Sequence, residues 1–300
     1  SACKTFAKNI CHSDESIITT NEEEVKEGKS IICKDVRELD IEKLPPIDAF
    51  TFGFPCYDFS TVGEQKGFNG KYGALYTYGV KVLEIHKPKW FLAENVGGLQ
   101  SANEGLAFKK IIEDLSNVGV DEFGGYEIVP HLYKFEEYGV PQSRHRVIIV
   151  GIRKDLGLHY KVPAPITKEK NTYRSSRWAF EVSCYNEGNV KEAEHNNEKT
   201  KHPQSTIKRL EAIPAGQNAW YEGIPEELRL NVRGAKLSNI YKRLDPNIPA
   251  YTVTGSGGGG THMYHYDEPR ALTNRERARL QTFPDLSLIH ISEPTRHSLI

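Results

Sequence analysis

The chain has 300 residues, 38% hydrophobic and 26% charged, a composition that excludes a disordered or fibrous protein. Lysine plus arginine number 39 against 40 acidic residues, so the net charge of −1 excludes a uniformly basic nucleic-acid coat while leaving room for a local basic face. No apolar run approaches the roughly 18 residues of a membrane span.

Ala2 to Asn9 has amphipathic helical spacing, so the chain opens inside a helix and sequence upstream is expected to be missing. There is no basic-then-apolar leader, and export is not expected. Asp48 to Phe54 suits a buried strand, and a stretch with Gly63, Gly67, Gly70 and Gly73 follows. Leu75, Tyr78, Val82, Leu83 and His86 recur at helical spacing until Pro88. Trp90 to Ala93 reads as a strand, Leu106 to Leu115 as a helix ending before Gly119, and Tyr126 to Phe135 and Arg146 to Ile152 as two further strands. This alternation predicts an α/β domain with a largely parallel sheet and active groups at the carboxyl ends of its strands.

From about Leu156 the pattern changes. Residues 161–203 are polar and irregular, and Thr206 to Ile213 forms a short helix closed by Pro214. Thr273 and Glu276 make a capping box for a helix bearing Arg275, Arg277 and Arg279, with Ala278, Leu280 and Phe283 as its core face. The expected division is 1–158, 159–286 and a tail, 287–300, that sustains neither period and resembles a translated sequencing adapter. Five scattered cysteines (Cys3, Cys11, Cys33, Cys56, Cys184) read as reduced thiols of a cytosolic protein.

Cys56 follows a predicted strand in Gly53-Phe54-Pro55-Cys56 and precedes the glycine-rich stretch, a placement suited to nucleophilic work. Glu94 stands at the next strand end, in Glu94-Asn95-Val96. Gln142, Arg144 and Arg146 alternate before an apolar strand, which puts them on one side of an extended segment. Singly, these fit a buried structural cysteine, a loop carboxylate and a solvated strand edge.

In this order, and with the run from Arg270 to Asp285, they resemble the motifs of the DNA cytosine-5 methyltransferase family over roughly residues 1–285. The resemblance implies a Rossmann-like, S-adenosylmethionine-dependent methyltransferase domain with a smaller, irregular target-recognition domain, of bacterial restriction–modification type. Cys56 would add at C6 of a flipped cytosine, Glu94 would protonate N3, and Arg144 and Arg146 would bind O2 and lower the thiol pKa. Asp35, Val36, Pro55 and Leu75 match positions around the cofactor's adenine. The family's glycine-rich turn, its acidic ribose ligand and its last motif have no counterpart, so weak cofactor binding by these 300 residues is expected.

Arg233, Lys236, Lys242 and Arg243 have no acid among them between Leu230 and Leu244, and Thr252 to Gly260 is a glycine-rich loop without a following lysine. Ser60, Gln142, Arg233, Lys242, Arg243, Thr252, Thr254 and Gly255 are the expected DNA contacts. The implied partner is double-stranded DNA, with a cognate restriction endonuclease by genetic association, no stable protein partner, no membrane and a bacterial cytoplasmic location. His262 and His265 lack further ligands nearby, so no metal is expected. A tRNA methyltransferase is the alternative within the family, disfavoured by Phe54 in place of a second proline. A DNA-binding remnant without catalysis is the alternative outside it.

Overall fold

A computed structural model describes residues 2–26, 28, 30–55, 75–167, 169–181, 190–192, 196–231, 237–254, 260–285 and 287, and all their side chains except those of 102 and 103. Cys56, Ser60, the glycines from 63 to 73, Cys184, Arg233, Lys236, Gly255 and residues 288–300 lie outside the described residues.

The chain divides into two compact units, one of residues 6–134 and 145–164, the other of residues 1–5, 135–144 and 165–300. The boundary expected at 158 thus falls at 164, and an excursion at 135–144 joins the second unit. Backbone pairing explains that excursion. Pro141 accepts the Ala250 amide (3.0 Å), and Glu137 accepts the amides of Ile166 and Thr167 (3.0 Å each).

Helix α1 (Ala2–Asn9) opens the chain, and two short strands, β1 (Ile18–Thr19) and β2 (Ile31–Ile32), pair in parallel. The first unit is then built from β3 (Ala49–Gly53), α2 (Tyr76–His86), β4 (Trp90–Val96), α3 (Leu106–Asn117), α4 (Val120–Phe123) and β5 (Tyr126–Lys134). Strand β6 (Gln142–Ser143) belongs to the second unit, and the chain returns to the first as β7 (His145–Arg153). The sheet order is β3-β4-β7-β5. The expectation of a largely parallel sheet is corrected here. β3 and β4 are parallel, but β7 runs antiparallel to both β4 and β5. A helical crossover joins β3 to β4, whereas only a single 3-10 turn (Phe135–Tyr138) and the short β6 lie between β5 and β7, too little chain for the crossover that a parallel neighbour needs.

Helix α2 stops where Lys87 takes left-handed backbone (φ 47°) and donates its amide to the Leu83 carbonyl (3.0 Å). Pro88 cannot extend it. On β4, Phe91, Ala93 and Asn95 are buried while Trp90, Leu92, Glu94 and Val96 alternate with them. Phe91 and Ala93 join Leu83, Ile111, Leu115, Tyr126, Val147 and Ile149 in one core, where each large side chain contributes about 1.5–3 kcal/mol. Tyr126 packs edge-on against both Phe91 and Phe123, and its hydroxyl donates to the Pro88 carbonyl (2.7 Å). Gly119 makes this possible: its φ is +65°, and a Cβ there would lie 2.0 Å from the Phe123 ring.

The second unit adds α5 (Ser176–Glu181), α6 (Gln204–Glu211), β8 (Ala250–Tyr251) and α7 (Asn274–Leu280). Strands β6 and β8 pair in parallel. Helix α5 arises inside the stretch read as irregular. It buries Ala179 and Phe180 against Leu244, Met263, Leu272 and Leu280. The α7 capping box forms as predicted: Thr273 Oγ1 accepts the Glu276 amide (3.1 Å), and Glu276 accepts the Thr273 amide (2.8 Å).

Its core face differs. Ala278 and Leu280 are buried, but Phe283 is 51% exposed, and the fully buried large side chains are Arg275 and Arg279. They are accommodated because the chain turns back on them. Arg279 Nε donates to Asp285 (3.1 Å), and Arg275 donates to the carbonyls of Pro284 (3.1 Å) and Ser287 (2.9 Å).

Arg243, expected on DNA, is also a core residue. Its guanidinium donates to the carbonyls of His265 (3.0 Å), Leu210 (3.0 Å), Ile213 (2.8 Å) and Tyr266 (2.6 Å). Replacing it with methionine keeps the bulk and removes the side-chain donor from four carbonyls, of which Leu210 still accepts the Ile213 amide (3.2 Å). Arg243→Met is expected to lose about 3 kcal/mol or more of unfolding free energy in urea titration. A loss below about 1 kcal/mol would contradict this role.

Candidate active site

The parallel register sets Gly53, the last residue of β3, opposite Glu94 on β4. The antiparallel register sets Val96 opposite Arg146 on β7, so Arg146 is the diagonal neighbour of Glu94 on the same face. Arg146 Nε lies 2.8 Å from Glu94 Oε1, with the carboxylate side chain 41% exposed and the arginine 13% exposed. A Cβ on Gly53 would sit 3.5 Å from Glu94 Oε2, so glycine leaves the carboxylate open space on that side.

Asn95, between Glu94 and Val96, points the other way and is buried. Its Nδ2 donates to the Phe54 carbonyl (3.0 Å), and its Oδ1 accepts the Val96 amide (2.8 Å). The amide therefore clamps the chain where it leaves β3, two residues before Cys56. Phe54 is itself buried, against Phe52 and Tyr76. Reading the sequence singled out Glu94 and passed over Asn95 as a position in its own right; a buried amide beside a polar motif residue was the available signal.

Beside this strand end lies a largely apolar cavity of about 410 Å³. Val36, Pro55 and Leu75 line it, together with Phe52, Tyr78 and Gly79. Gly79 lets the Phe52 ring close against α2, since a Cβ there would come within 2.4 Å of it. Asp35 is not part of the lining. Its carboxylate accepts from the Arg37 amide (3.0 Å) and Nε (2.9 Å), capping a short 3-10 turn, and Arg37 holds its pKa down to about 2.

The remaining candidates separate. Arg144 lies between β6 and β7 in the second unit, where its amide donates to the Gln142 carbonyl (3.0 Å) and its carbonyl accepts from Phe135 (3.1 Å). The extended alternation of Gln142, Arg144 and Arg146 is thus interrupted. Gln142 is fully buried, and both ends of its amide are engaged, by the Leu280 carbonyl (3.1 Å) and the Val253 amide (2.9 Å). It ties β6 to the second unit instead of facing a ligand. Thr252 donates to the Ser143 carbonyl (2.8 Å), Thr254 is exposed, and Lys242 Nζ sits 4.8 Å from the centre of the Tyr251 ring. His265 is stacked on Phe180, and its Nδ1 accepts the amides of Asp267 (3.0 Å) and Glu268 (3.1 Å). Burial holds its pKa down at about 4, the signature of a structural, neutral imidazole.

A family model described as C-5 cytosine-specific DNA methylase matches residues 3–298. Over 288 residues the chain is 56% identical to the Type II methyltransferase M.BbvI of Brevibacillus brevis, covering 95% of this chain and 70% of that protein. It is 38% identical to the Type II methyltransferase M.NgoFVII of Neisseria gonorrhoeae, covering 95% and 69%. The crystal structure of a candidate DNA modification methyltransferase encoded within an E. coli prophage shares the fold, with a TM-score of 0.65 at 21% identity over 97% of this chain and 81% of that one.

Asn95 is open to a direct test. Asn95→Ala leaves the Phe54 carbonyl without its donor and is expected to cost about 1–3 kcal/mol in chemical unfolding. Asn95→Asp keeps the acceptor for Val96 but not the donor, and should lose nearly as much. Parent-like stability in both would remove the clamp.

Proposed function

As a member of the C-5 cytosine-specific DNA methylase family, this chain methylates C5 of cytosine in DNA, and we propose that Cys56, Glu94 and Arg146 carry the chemistry with S-adenosylmethionine as methyl donor. The observation that supports these roles is the Glu94–Arg146 pair at the end of β4, side by side with the end of β3 from which Pro55 and Cys56 continue.

Cytosine C5 is a weak nucleophile. A thiolate adding at C6 raises the electron density at C5, and thiolate is both a strong nucleophile and a competent leaving group. Cys56 takes that role. Glu94, half open to solvent, holds a proton at the ring N3 and so makes C6 electrophilic. Arg146 balances the Glu94 charge, fixes the carboxylate and presents further N–H donors to the cytosine O2. Arg144 is the second arginine proposed for that oxygen. Once C5 carries the methyl group, a base takes the C5 proton, the C5–C6 double bond re-forms and Cys56 departs as the thiolate. A stacked base is out of reach of these groups, so the cytosine must leave the duplex stack.

The apolar cavity fits a flat adenine, and Val36, Pro55 and Leu75 are the residues that would hold it. When bound, S-adenosylmethionine supplies an electrophilic methyl group on a sulfonium. Asp35 is already held by Arg37, so its proposed part is to shape the turn that presents Val36. The substrate proposed is a specific duplex sequence, in the bacterial cytoplasm and within a restriction–modification system. No helix among the described residues is long and apolar enough to cross a membrane.

Duplex carrying 5-fluorocytosine tests Cys56, because fluorine at C5 cannot be eliminated as a proton. The parent is expected to form an adduct that survives denaturing electrophoresis and Cys56→Ala to form none; an adduct in the variant would sink the assignment.

Glu94→Gln keeps the size and removes the acid. Its turnover is expected to fall by roughly 10²–10⁴-fold with little change in DNA affinity. Turnover within about twofold of the parent would leave Glu94 without a role in proton transfer.

A further inference from the structure

Arg277 lies on α7 between Arg275 and Arg279, yet its surroundings differ from theirs. Those two reach Asp285 and main-chain carbonyls, and Arg270 reaches Glu276 with both terminal nitrogens (2.9 and 2.7 Å). Among the described residues Arg277 has no hydrogen-bonding or ion-pairing acceptor for its side chain, and its Nε is buried without one. The adjacent Glu276 is already engaged by Arg270 and the helix cap. Buried polar groups in native folds are nearly all paired, so an orphaned guanidinium marks a place where an acceptor from outside the fold is gained on binding.

Lys242 is a second cation of the same unit. Lys242 Nζ lies 4.8 Å from the centre of the Tyr251 ring, and it too has no carboxylate partner among the described residues. The Arg277 charge acts on that same tyrosine, and burial, aided by the charges of Arg277 and His202, holds His262 below its ordinary pKa. Tyr251 leads into the glycine-rich segment through Thr254, which is exposed. The far end of that segment is fixed as well. Gly260 accepts the Tyr241 amide (2.8 Å), and its φ of +90° and a would-be Cβ 2.7 Å from the Tyr241 ring restrict the position to glycine. Among the described residues, then, neither cation has a carboxylate partner; Lys242 lies over the Tyr251 ring, and the charge of Arg277, whose Nε is buried without an acceptor, is felt at that same ring.

We propose that Arg277 and Lys242 each dock a phosphodiester of the DNA duplex and act as positioning contacts, not readers of base identity. The inference rests on the DNA methylase reading above. A guanidinium and an ammonium that lack carboxylate partners among the described residues suit the diffuse charge of phosphates, whereas base reading needs a fork aligned to two acceptors in one plane. The shared chemistry is a phosphate oxygen, which a free phosphate ion also offers.

The test is the salt dependence of duplex binding by the full chain, read by fluorescence anisotropy for the parent, Arg277→Gln, Arg277→Lys and Lys242→Gln. Removing one phosphate contact should reduce the slope of log affinity against log salt by about 0.9. Arg277→Gln and Lys242→Gln are each expected to lose that much, equally for methylatable and unrelated duplexes, with the parent melting temperature kept. Arg277→Lys should regain most of the slope. A parent slope in Arg277→Gln overturns the proposal, as does a fall in melting temperature without a change of slope, which assigns Arg277 to the fold. A loss confined to one sequence makes it a base reader and overturns it too. So does a thermal shift by inorganic phosphate alone that Arg277→Gln abolishes while the DNA slope stays unchanged. A parent that 5-fluorocytosine traps, with a variant of unchanged slope, removes this inference and keeps the methylase reading. A parent that neither binds DNA nor is trapped removes both.

Discussion

Gly53 stands opposite Glu94 in the parallel register of β3 and β4, and the rest of the candidate site depends on that alignment. Side chains alternate across a sheet, so a slip of one residue would carry Glu94 to the core face and bring Asn95 out. Asn95 resists that slip because its buried amide bridges the two strands at the Phe54 carbonyl. Phe91 and Ala93 resist it from the other end of β4, since their burial in the core permits only one face inward. With the register set, β7 needs only to run antiparallel to bring Arg146 diagonally onto Glu94. The pair is electrostatic, but its geometry is a consequence of apolar packing and one side-chain amide.

The second unit is organised on a different principle. Its larger buried groups include arginines, and burying a guanidinium is costly unless its donors are matched. Arg243 is matched by main-chain carbonyls, Arg270 by Glu276 and Arg279 by Asp285. These contacts tie together segments with little regular structure of their own, which is how a region of short helices and two-residue strands keeps one arrangement. The same arrangement sorts basic residues that look alike in sequence. Lys242 and Arg243 are neighbours, and one lies over a part-buried tyrosine ring while the other is enclosed by carbonyls.

Much of this was legible from the residues alone. The α2 helix, its stop at Lys87-Pro88, the strands around Phe50, Phe91, Val129 and Ile149, and the α7 capping box all follow from local periodicity and local hydrogen bonding. So does the place of Glu94 at the end of the strand that follows Gly53-Phe54 in the chain; that the two strands are neighbours in the sheet came from the structure. The antiparallel β7 was not legible, since the missing crossover was hidden by the excursion at 135–144, which pairs with residues more than a hundred positions later. The cofactor candidates divided for a similar reason. Asp35 finds Arg37 two residues away, a competitor that a motif match does not weigh.

By itself, then, the sequence determined which residue types stand at the ends of which strands, and the motif order that resembles the DNA cytosine-5 methyltransferases, because hydrophobic period and motif order are properties of short stretches of chain. Tertiary structure alone decided which polar groups are engaged inside the fold. Gln142 and Arg243 have the composition of a DNA-facing surface, and both are buried with their hydrogen bonds taken up by distant main chain. Whether a guanidinium meets a carbonyl or is left open for a ligand depends on which segments fold back over it, a long-range matter that no local pattern encodes.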